Sequence, residues 1–397
     1  MSKNLNLSNF YIFLWCLYNL QGSLYASGSI ISQGILAILL LISLYYTVYA
    51  NVNYQLPPYM KMLNAMLVMF TIYGVVLIIS GEELIIKEEC AGVVSNKDYL
   101  KNIYMSLLPI YTFFVFAKIG ELTEVTIRRW IPIFLIIIVA NFFARQQELL
   151  AMAVETLSIR EEFTNNTGYI FLSIIPMLLF VKRPFVQYLL LLLCMIFIVA
   201  AMKRGAILIL IISLPFFFHS TLSGISLVKK LLVFVLIATS AFVAVYYVSY
   251  MMDTSDYFNT RIDQTIGGDA SNREDIYPHL LRQIFYYATP LQFLFGRGAW
   301  GSLKVSDNFA HNDWLEIGVN QGMLGVAMYL MYWVSFWISA KNFKKNTMVR
   351  KVLTILMVIL FAKTMFSMSY DSMPIYMTLC IGYCMSHYKN DTLLCER

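Results

Sequence analysis

Charged residues are scarce in this chain. Only 13% of its 397 residues are Asp, Glu, Lys or Arg, whereas 59% are apolar. Soluble domains carry about 25% charged and about 45–50% apolar residues. The charge present is therefore too little to cover a water-facing surface. This shortage excludes an ordinary soluble enzyme and indicates a protein that lies mostly within a membrane.

Cysteine and histidine are also rare. The six cysteines show neither zinc-site nor disulfide spacing, and the four histidines form no cluster with ligand spacing. Cys380 and Cys384 lie four apart on a late apolar segment, where core packing explains them. No repeat, proline-rich linker or low-complexity tail occurs. We therefore predict no metal and no other cofactor. The formal net charge of +6 is spread over connecting segments, so membrane topology explains it better than nucleic-acid binding does.

Long apolar runs, by contrast, are abundant. A membrane-spanning helix needs about 20 consecutive, mostly apolar residues. The first run follows a polar N-terminus without a small-residue cleavage pattern, so we expect it to be retained as a helix. Lys203, Arg204 and Gly205 interrupt residues 184–219 and predict a hairpin there. The sequence thus predicts an all-α, polytopic integral membrane protein with about twelve spans, near 10–26, 28–50, 60–80, 102–119, 129–145, 166–181, 184–202, 205–219, 229–250, 318–339, 350–368 and 371–387.

The distribution of charge predicts the orientation of these spans. With a cytoplasmic N-terminus, the inner segments hold 16 basic and four acidic residues, and the outer segments hold 12 basic and 19 acidic residues. Cytoplasmic loops carry an excess of Lys and Arg. Both termini are therefore expected in the cytoplasm.

One outer segment, 251–317, is far longer than the other connections. It separates two predicted membrane domains, 1–250 with spans 1–9 and 318–397 with spans 10–12. Long ordered loops are usually functional. The segment contains Arg273, Arg297 and His311. Lys203 and Arg204, at the hairpin tip between spans 7 and 8, add positive charge on the same side, against the overall bias. Such a placement favours an anionic partner.

The residues around His311 resemble a helix start. Asp313 followed by Glu316 has the spacing of a capping box, so we expect a helix to begin at Asp313. A helix N-terminus also suits a phosphate group. The glycines that flank Arg297 allow close backbone approach, which suits a pyrophosphate. Ordinary structural roles stay open: Arg204 could lie at a helix end with its charge in the interface, Arg273 could pair with nearby carboxylates, and His311 could be a hydrogen-bonded loop histidine.

Three stretches resemble the signature of the superfamily of O-antigen polymerases and O-antigen ligases. They are Phe295-Gly-Arg-Gly-Ala-Trp, Ala310-His-Asn-Asp-Trp-Leu-Glu-Ile and Asn320-Gln-Gly-Met-Leu-Gly-Val. In that family a glycine-containing turn precedes a His-Asn pair, an aromatic-Leu-Glu step and a Gly-x-x-Gly entry into a span.

Two further stretches agree with this resemblance. Lys203-Arg204-Gly205-Ala206 is similar to the Arg-Gly-Ala hairpin tip of the family, although Ser usually precedes the arginine. Asn272-Arg273, with Tyr277 after it, is similar to the arginine early in the large periplasmic loop. The motifs cover about 203–326, whereas the first half of the chain agrees in topology alone.

The resemblance implies a bacterial inner-membrane glycosyltransferase with a GT-C-like architecture and no metal. It would take glycan from undecaprenyl diphosphate in the periplasmic leaflet and pass it to an acceptor hydroxyl. Arg204 and Arg273 would bind the leaving diphosphate, with Lys203 and Arg297 as further contacts, and His311 would orient or deprotonate the acceptor. Implied partners are the lipid-linked oligosaccharide donor and acceptor, the lipid bilayer, a chain-length regulator and a flippase.

Polymerisation of O-antigen, or of a related surface polysaccharide, is the function favoured by the His-Asn-Asp-Trp-Leu-Glu stretch. The nearest alternative is an O-antigen ligase that transfers finished chains to lipid A-core, since both enzymes use the same donor. A lipid transporter or flippase is the non-enzymatic alternative. It predicts ionisable residues in mid-span and internal symmetry, but Lys363 alone fits the first feature and no repeat is visible.

Overall fold

The computed structural model describes residues 6–81, 84–85, 93–155, 165–222 and 273–388, except 22, 24, 26–27, 202, 307–308 and 345–346, together with five single positions between 235 and 249. The predicted span near 229–250 therefore lies outside the described residues apart from those positions. The first part of the long outer segment, 251–272, lies outside them as well.

Among the described residues the regular elements are helices, except for one short ribbon in which β1 (Leu84–Ile85) pairs antiparallel with β2 (Val93–Val94). The all-α prediction is confirmed. A 3₁₀ helix, Ile175–Phe180, follows α6. The α-helices are α1 (Leu7–Asn19), α2 (Ile30–Asn53), α3 (Pro58–Ser80), α4 (Asn96–Lys118), α5 (Glu124–Glu155), α6 (Thr167–Ile174), α7 (Pro184–Ala200), α8 (Arg204–Leu222), α9 (Arg273–Phe285), α10 (Pro290–Phe295), α11 (Gly301–Ser306), α12 (Asp313–Lys341), α13 (Met348–Phe366) and α14 (Ile375–Ser386).

Several of these helices are long and apolar enough to cross a membrane. Among the described residues six qualify: Ile30–Asn53, Pro58–Ser80, Asn96–Lys118, Glu124–Gln147, Arg204–Leu222 and Asp313–Lys341. Shorter apolar helices cover Thr167–Phe180, Pro184–Ala200 and Ile375–Ser386. The architecture is that of a membrane-embedded helical protein. Twelve crossings stay a prediction.

The first and last predicted spans are shorter than expected. Helix α1 ends at Asn19, and its 13 residues extend over about 20 Å, less than the roughly 30 Å of a hydrocarbon core. The Asn19 amide donates to Trp15 O at 2.9 Å, so this polar side chain closes the helix before residue 26. Helix α14 begins at Ile375 rather than at 371, because Pro374 ends the preceding loop.

Helix ends that were predicted on one side of the membrane lie together. The Tyr59 amide, at the start of α3, donates to the Ser339 hydroxyl near the end of α12 at 3.1 Å. The Lys351 ammonium, at the start of α13, donates to Ser220 O near the end of α8 at 2.8 Å. The start of α3 thus meets the end of α12, and the start of α13 meets the end of α8, while the orientation of the helices in the membrane stays a prediction.

Helix α14 lies at the centre of the bundle. All of its residues are buried, and it packs most extensively against α4. At Gly382 the two backbones approach so closely that a Cβ atom would lie 2.5 Å from Ile110 O and 2.9 Å from Phe114 N. Small residues permit such close packing of membrane helices. Gly382 therefore sets the distance between α14 and α4.

We predict that Gly382→Ala destabilises the protein by about 1–3 kcal/mol, because the added methyl group meets backbone atoms that cannot rotate away. Gly34→Ala is the matched control, since Gly34 lies in α2 with nothing within 4 Å of its Cβ position. Thermal unfolding of the purified proteins in one detergent measures the difference. Equal midpoints for the two variants would contradict the packing described here.

Candidate active site at the end of helix α13

The C-terminal end of α13 joins two distant segments of the chain. Helix α13 ends at Phe366, and the last carbonyl groups of a helix have no donor within it. Arg273 Nη2 donates to Phe366 O at 3.2 Å. Asn312 Nδ2 donates to Met365 O at 3.5 Å. The first residue of α9 and the residue preceding α12 therefore meet at this end.

The hairpin tip that carries Arg204 packs against the same end. Helix α7 ends at Ala200 and α8 begins at Arg204, so the chain turns where the sequence predicts a hairpin. A Cβ atom at Gly205 would lie 3.0 Å from Phe366 Cβ and would clash with the Tyr169 hydroxyl. That hydroxyl donates to Phe366 O at 3.4 Å. Gly205 thus allows the tip to lie directly on the end of α13.

The predicted site residues reach this region in different ways. Arg273 does so through its own guanidinium, whereas Arg204 and His311 are each adjacent in sequence to a residue that does. Lys203 is half-buried, and its Cβ lies 3.7 Å from the Cβ position of Gly168 at the start of α6. The tip and α6 are therefore packed side by side.

Arg273 has donor capacity beyond its bond to α13. Its Nε is buried and has no hydrogen-bond partner among the residues that the structure describes. A guanidinium presents five N–H donors in a planar fork. Nη2 donates to Phe366 O, and the remaining N–H groups suit a phosphate-like anion.

His311 has an unusual backbone conformation. Its φ is 50°, in the left-handed region, which costs of order 1–3 kcal/mol for a residue other than glycine. The residues on either side hold it there. The Ala310 amide donates to Glu316 Oε2 at 2.9 Å, and the Asn312 side chain accepts from the Trp314 amide at 3.0 Å. Residues strained in this way cluster at functional sites.

The helix start predicted at Asp313 is confirmed, but the predicted capping box is wrong. The N-cap of α12 is Asn312, whose side chain accepts from the amides of Trp314 and Leu315. Asn312 precedes Asp313 and already supplies the capping oxygen, so Asp313 and Glu316 are free to act elsewhere.

Glu316 holds the segment that carries His311 in place through hydrogen bonds. The side chain is fully buried and accepts from the Ala310 amide at 2.9 Å, from the Asn320 amide group at 3.1 Å and from the Ser302 hydroxyl. A buried carboxylate must be hydrogen-bonded to be tolerated. Glu316 thereby connects α11 and α12 to the turn before His311.

Asp313 fixes the loop that follows α13. It is fully buried, its Oδ1 accepts from the Ser369 amide at 2.7 Å, and its Oδ2 accepts from the Tyr329 hydroxyl at 2.6 Å. The start of α12 and the end of α13 are therefore held together twice, by Asn312 and by Asp313.

Lys363 also borders the site, although nothing in the sequence links it to the long outer segment. Its buried ammonium lies 5.8 Å from the centre of the Tyr169 ring and donates to Ser372 O at 2.9 Å. Asp371 is the acidic residue that follows Lys363 most closely in the sequence, and no ion pair within 4.0 Å joins the two among the described residues. Burial, together with the charge of Glu316, raises the pKa of the Asp371 carboxyl to about 7, while the charge of Lys363 opposes the shift.

Arg297 contacts the other end of α9 in this structure. Its guanidinium donates to Gln283 Oε1 at 2.9 Å, near the C-terminal end of α9. Ten residues of helix separate Gln283 from Arg273, which is about 15 Å. No described contact brings Arg297 to the end of α13. Its role as a further diphosphate contact stays a prediction.

The glycines beside Arg297 approach protein backbone. The amides of Arg297 and Gly298 donate to the carbonyl groups of Val319 and Asn320 at 2.8 and 3.0 Å. Gly296 lies against Gly322, where α12 is broken by a φ of 67° and a ψ of −165°. The close approach predicted for a pyrophosphate is thus made to α12 instead.

The described residues contain no group of three or more His, Cys, Asp or Glu side chains that could hold a metal ion. The candidate site residues are arginines, a lysine and a histidine, which can donate hydrogen bonds and stabilise negative charge.

When the chain is compared with models of known families and with curated proteins, no significant match is found.

We predict that Glu316→Ala destabilises the protein by several kcal/mol, because it leaves the buried donors of Ala310, Ser302 and Asn320 unsatisfied at about 1–3 kcal/mol each. Glu316→Gln keeps the shape and one acceptor oxygen, so we expect a smaller loss. Thermal unfolding of the two variants beside the unchanged protein tests this order. A Glu316→Ala protein as stable as Glu316→Gln would show that these hydrogen bonds do not hold the turn.

Proposed function

We propose that this protein is a membrane glycosyltransferase that polymerises undecaprenyl-diphosphate-linked repeat units of O-antigen or a related surface polysaccharide. The proposed location is the periplasmic face of the bacterial inner membrane. The proposal combines the family resemblance of residues 203–326 with the chemistry available around the end of α13.

One observation supports the proposal above the others. Arg273, the tip that carries Arg204 and the strained turn that carries His311 all contact Met365 or Phe366, either directly or through the adjacent residue. These segments are widely separated in the sequence. Lys363 adds a further positive charge beside Tyr169. Cations and an imidazole carried by segments that meet at one helix end suit a reaction in which negative charge develops on a departing diphosphate.

In the proposed reaction the oxygen of an acceptor hydroxyl attacks the anomeric carbon of the lipid-linked sugar. The bond from that carbon to the diphosphate oxygen breaks, and its electron pair stays with the diphosphate. His311 accepts the hydroxyl proton or orients the hydroxyl. Arg204 and Arg273 stabilise the growing negative charge through charge-assisted hydrogen bonds. Removal of a single such donor from an active site typically costs about 2.7–4 kcal/mol.

The O-antigen ligase is the second candidate. It uses the same donor and the same leaving group, so the cationic site serves it equally well. The two differ in the acceptor, which is a lipid-linked repeat unit for the polymerase and lipid A-core for the ligase. The polymerase is favoured by the similarity of the His311–Glu316 stretch to polymerase sequences.

We predict that Arg204→Ala, Arg273→Ala and His311→Ala each reduce chain formation about 10²–10³-fold while the protein still inserts into the membrane. Arg273→Lys keeps the charge but not the planar fork, so we expect an intermediate loss. Arg282→Ala is the matched control, because Arg282 is an exposed arginine on the same helix α9. The measurement is surface polysaccharide in a deletion strain that carries each variant at equal protein level.

The lipopolysaccharide pattern of the deletion strain separates the two candidates. Core capped with single repeat units identifies a lost polymerase, whereas lipid-linked long chains beside bare core identify a lost ligase. Full-length polysaccharide in all three alanine variants would refute the assigned catalytic roles.

A further inference from the structure

A strongly apolar corner lies in the sequence between Arg273 and the glycines that flank Arg297. We define it as residues 285–295, the end of α9 together with α10. Helix α10 has no buried residue, and Tyr286 and Leu291 are 82% and 72% exposed. The exposed large side chains of the corner are Phe285, Tyr286, Tyr287, Leu291, Phe293, Leu294 and Phe295. A water-facing loop would not display so many.

The corner is attached to α3 well below the end of that helix. The Tyr73 hydroxyl donates to Phe295 O. Tyr59, at the start of α3, is level with Ser339 of α12 through their hydrogen bond. From Tyr59 to Tyr73 the helix rises about 21 Å at 1.5 Å per residue.

Helix α12 gives a second measure of the same height. Gly296, at the edge of the corner, packs against Gly322, whose Cβ position would lie 2.5 Å from Gly296 N. From Ser339 back to Gly322 the axis rises about 26 Å. Lys61 and Lys341 lie close in sequence to Tyr59 and Ser339, from which both heights are counted, and they mark one edge of the membrane. The hydrocarbon core of a membrane is about 30 Å thick. Both measures place the corner roughly 4–9 Å inside the opposite edge, the depth at which interfacial helices lie.

The neighbouring surface of α3 is apolar at this height and above it. Val76 and Ile79 lie beyond Tyr73 toward the end of α3, and both are exposed. The corner therefore continues a surface that already faces lipid.

The backbone of the corner meets the demands of a lipid environment, where polar groups must be satisfied internally. Thr289 and Gln292 form a complete capping box at the start of α10. The Gly296 amide closes its other end on Gln292 O at 2.8 Å. The amides of Tyr286 and Tyr287 both donate to Arg282 O, at 2.9 and 3.0 Å.

We propose that the 285–295 corner is a lipid-binding element immersed among the acyl chains of the leaflet that contains the C-terminal end of α3. It anchors the far end of α9, the helix that begins at Arg273, in the membrane. This assignment is independent of the proposed function, because it rests on depth, exposure and backbone satisfaction alone.

A nitroxide spin label at Leu291→Cys tests the assignment. Cys90 and Cys395 are replaced by serine, since the four cysteines in the described structure are all buried. The protein is reconstituted in vesicles of phosphatidylethanolamine and phosphatidylglycerol. Collision of the label with oxygen, which concentrates in lipid, is compared with collision with a water-soluble nickel chelate. Val76→Cys serves as the lipid reference, and Asp275→Cys, exposed on α9, as the aqueous reference.

The expected result is that the label at 291 collides more with oxygen than with nickel, as at position 76 and opposite to position 275. A label at Phe293→Cys repeats the measurement on the same element. Preferential nickel access at 291 and 293 would overturn the proposal, because the corner would then lie in water. Low access to both reagents would overturn it as well, because protein rather than lipid would cover the corner.

Discussion

The meeting of α6, α9 and α12 in the candidate active site depends on the backbone carbonyl groups at the C-terminal end of α13. The last turn of any helix leaves backbone carbonyl groups without donors inside the helix. Here Arg273 and Tyr169 serve Phe366 O, Asn312 serves Met365 O, and the Ser367 amide serves Lys363 O. The need to satisfy one helix end thus draws α6, α9 and α12 to the same place. The partial negative charge of that end also favours a guanidinium beside it.

Two buried carboxylates make this junction rigid. Asp313 and Glu316 are both inaccessible to solvent, and burying an anion is costly unless its oxygens accept hydrogen bonds. Each is bonded to backbone amides and hydroxyl groups of neighbouring segments. Loss of one of these segments would remove a hydrogen bond from a buried carboxyl group. The left-handed turn at His311 persists because the surrounding bonds determine it on both sides.

The sequence predicted the helices well where apolar length alone decides. Helices α2, α3, α7 and α13 begin and end within three residues of their predicted bounds, because a run of about 20 apolar residues has few other stable forms in lipid. Helix ends and breaks that depend on tertiary contacts could not be predicted from the sequence. The break in α12 at Gly322 exists because Gly296 packs there, and nothing local distinguishes Gly322 from Gly325, which lies within the unbroken helix.

The site could be predicted in part. Short motifs predict Arg204, Arg273 and His311, since polar residues at a hairpin tip and in a long outer segment stand out against an apolar chain. No motif predicts Lys363 or Tyr169, because their contacts join residues about 100 to 200 positions apart. The contact of Arg297 with Gln283 could not be predicted either, because it joins two separate elements of the fold.

Binding of a polyprenyl diphosphate to the purified protein tests the central claim most directly. A ligand at 100 times its Kd stabilises the native state by about 2.7 kcal/mol, which appears as a rise in the unfolding temperature in detergent. The account predicts this rise for the unchanged protein and for Arg282→Ala, and its loss in Arg204→Ala and Arg273→Ala. An equal rise in all four proteins would contradict it, because the diphosphate would then bind without the arginines beside α13.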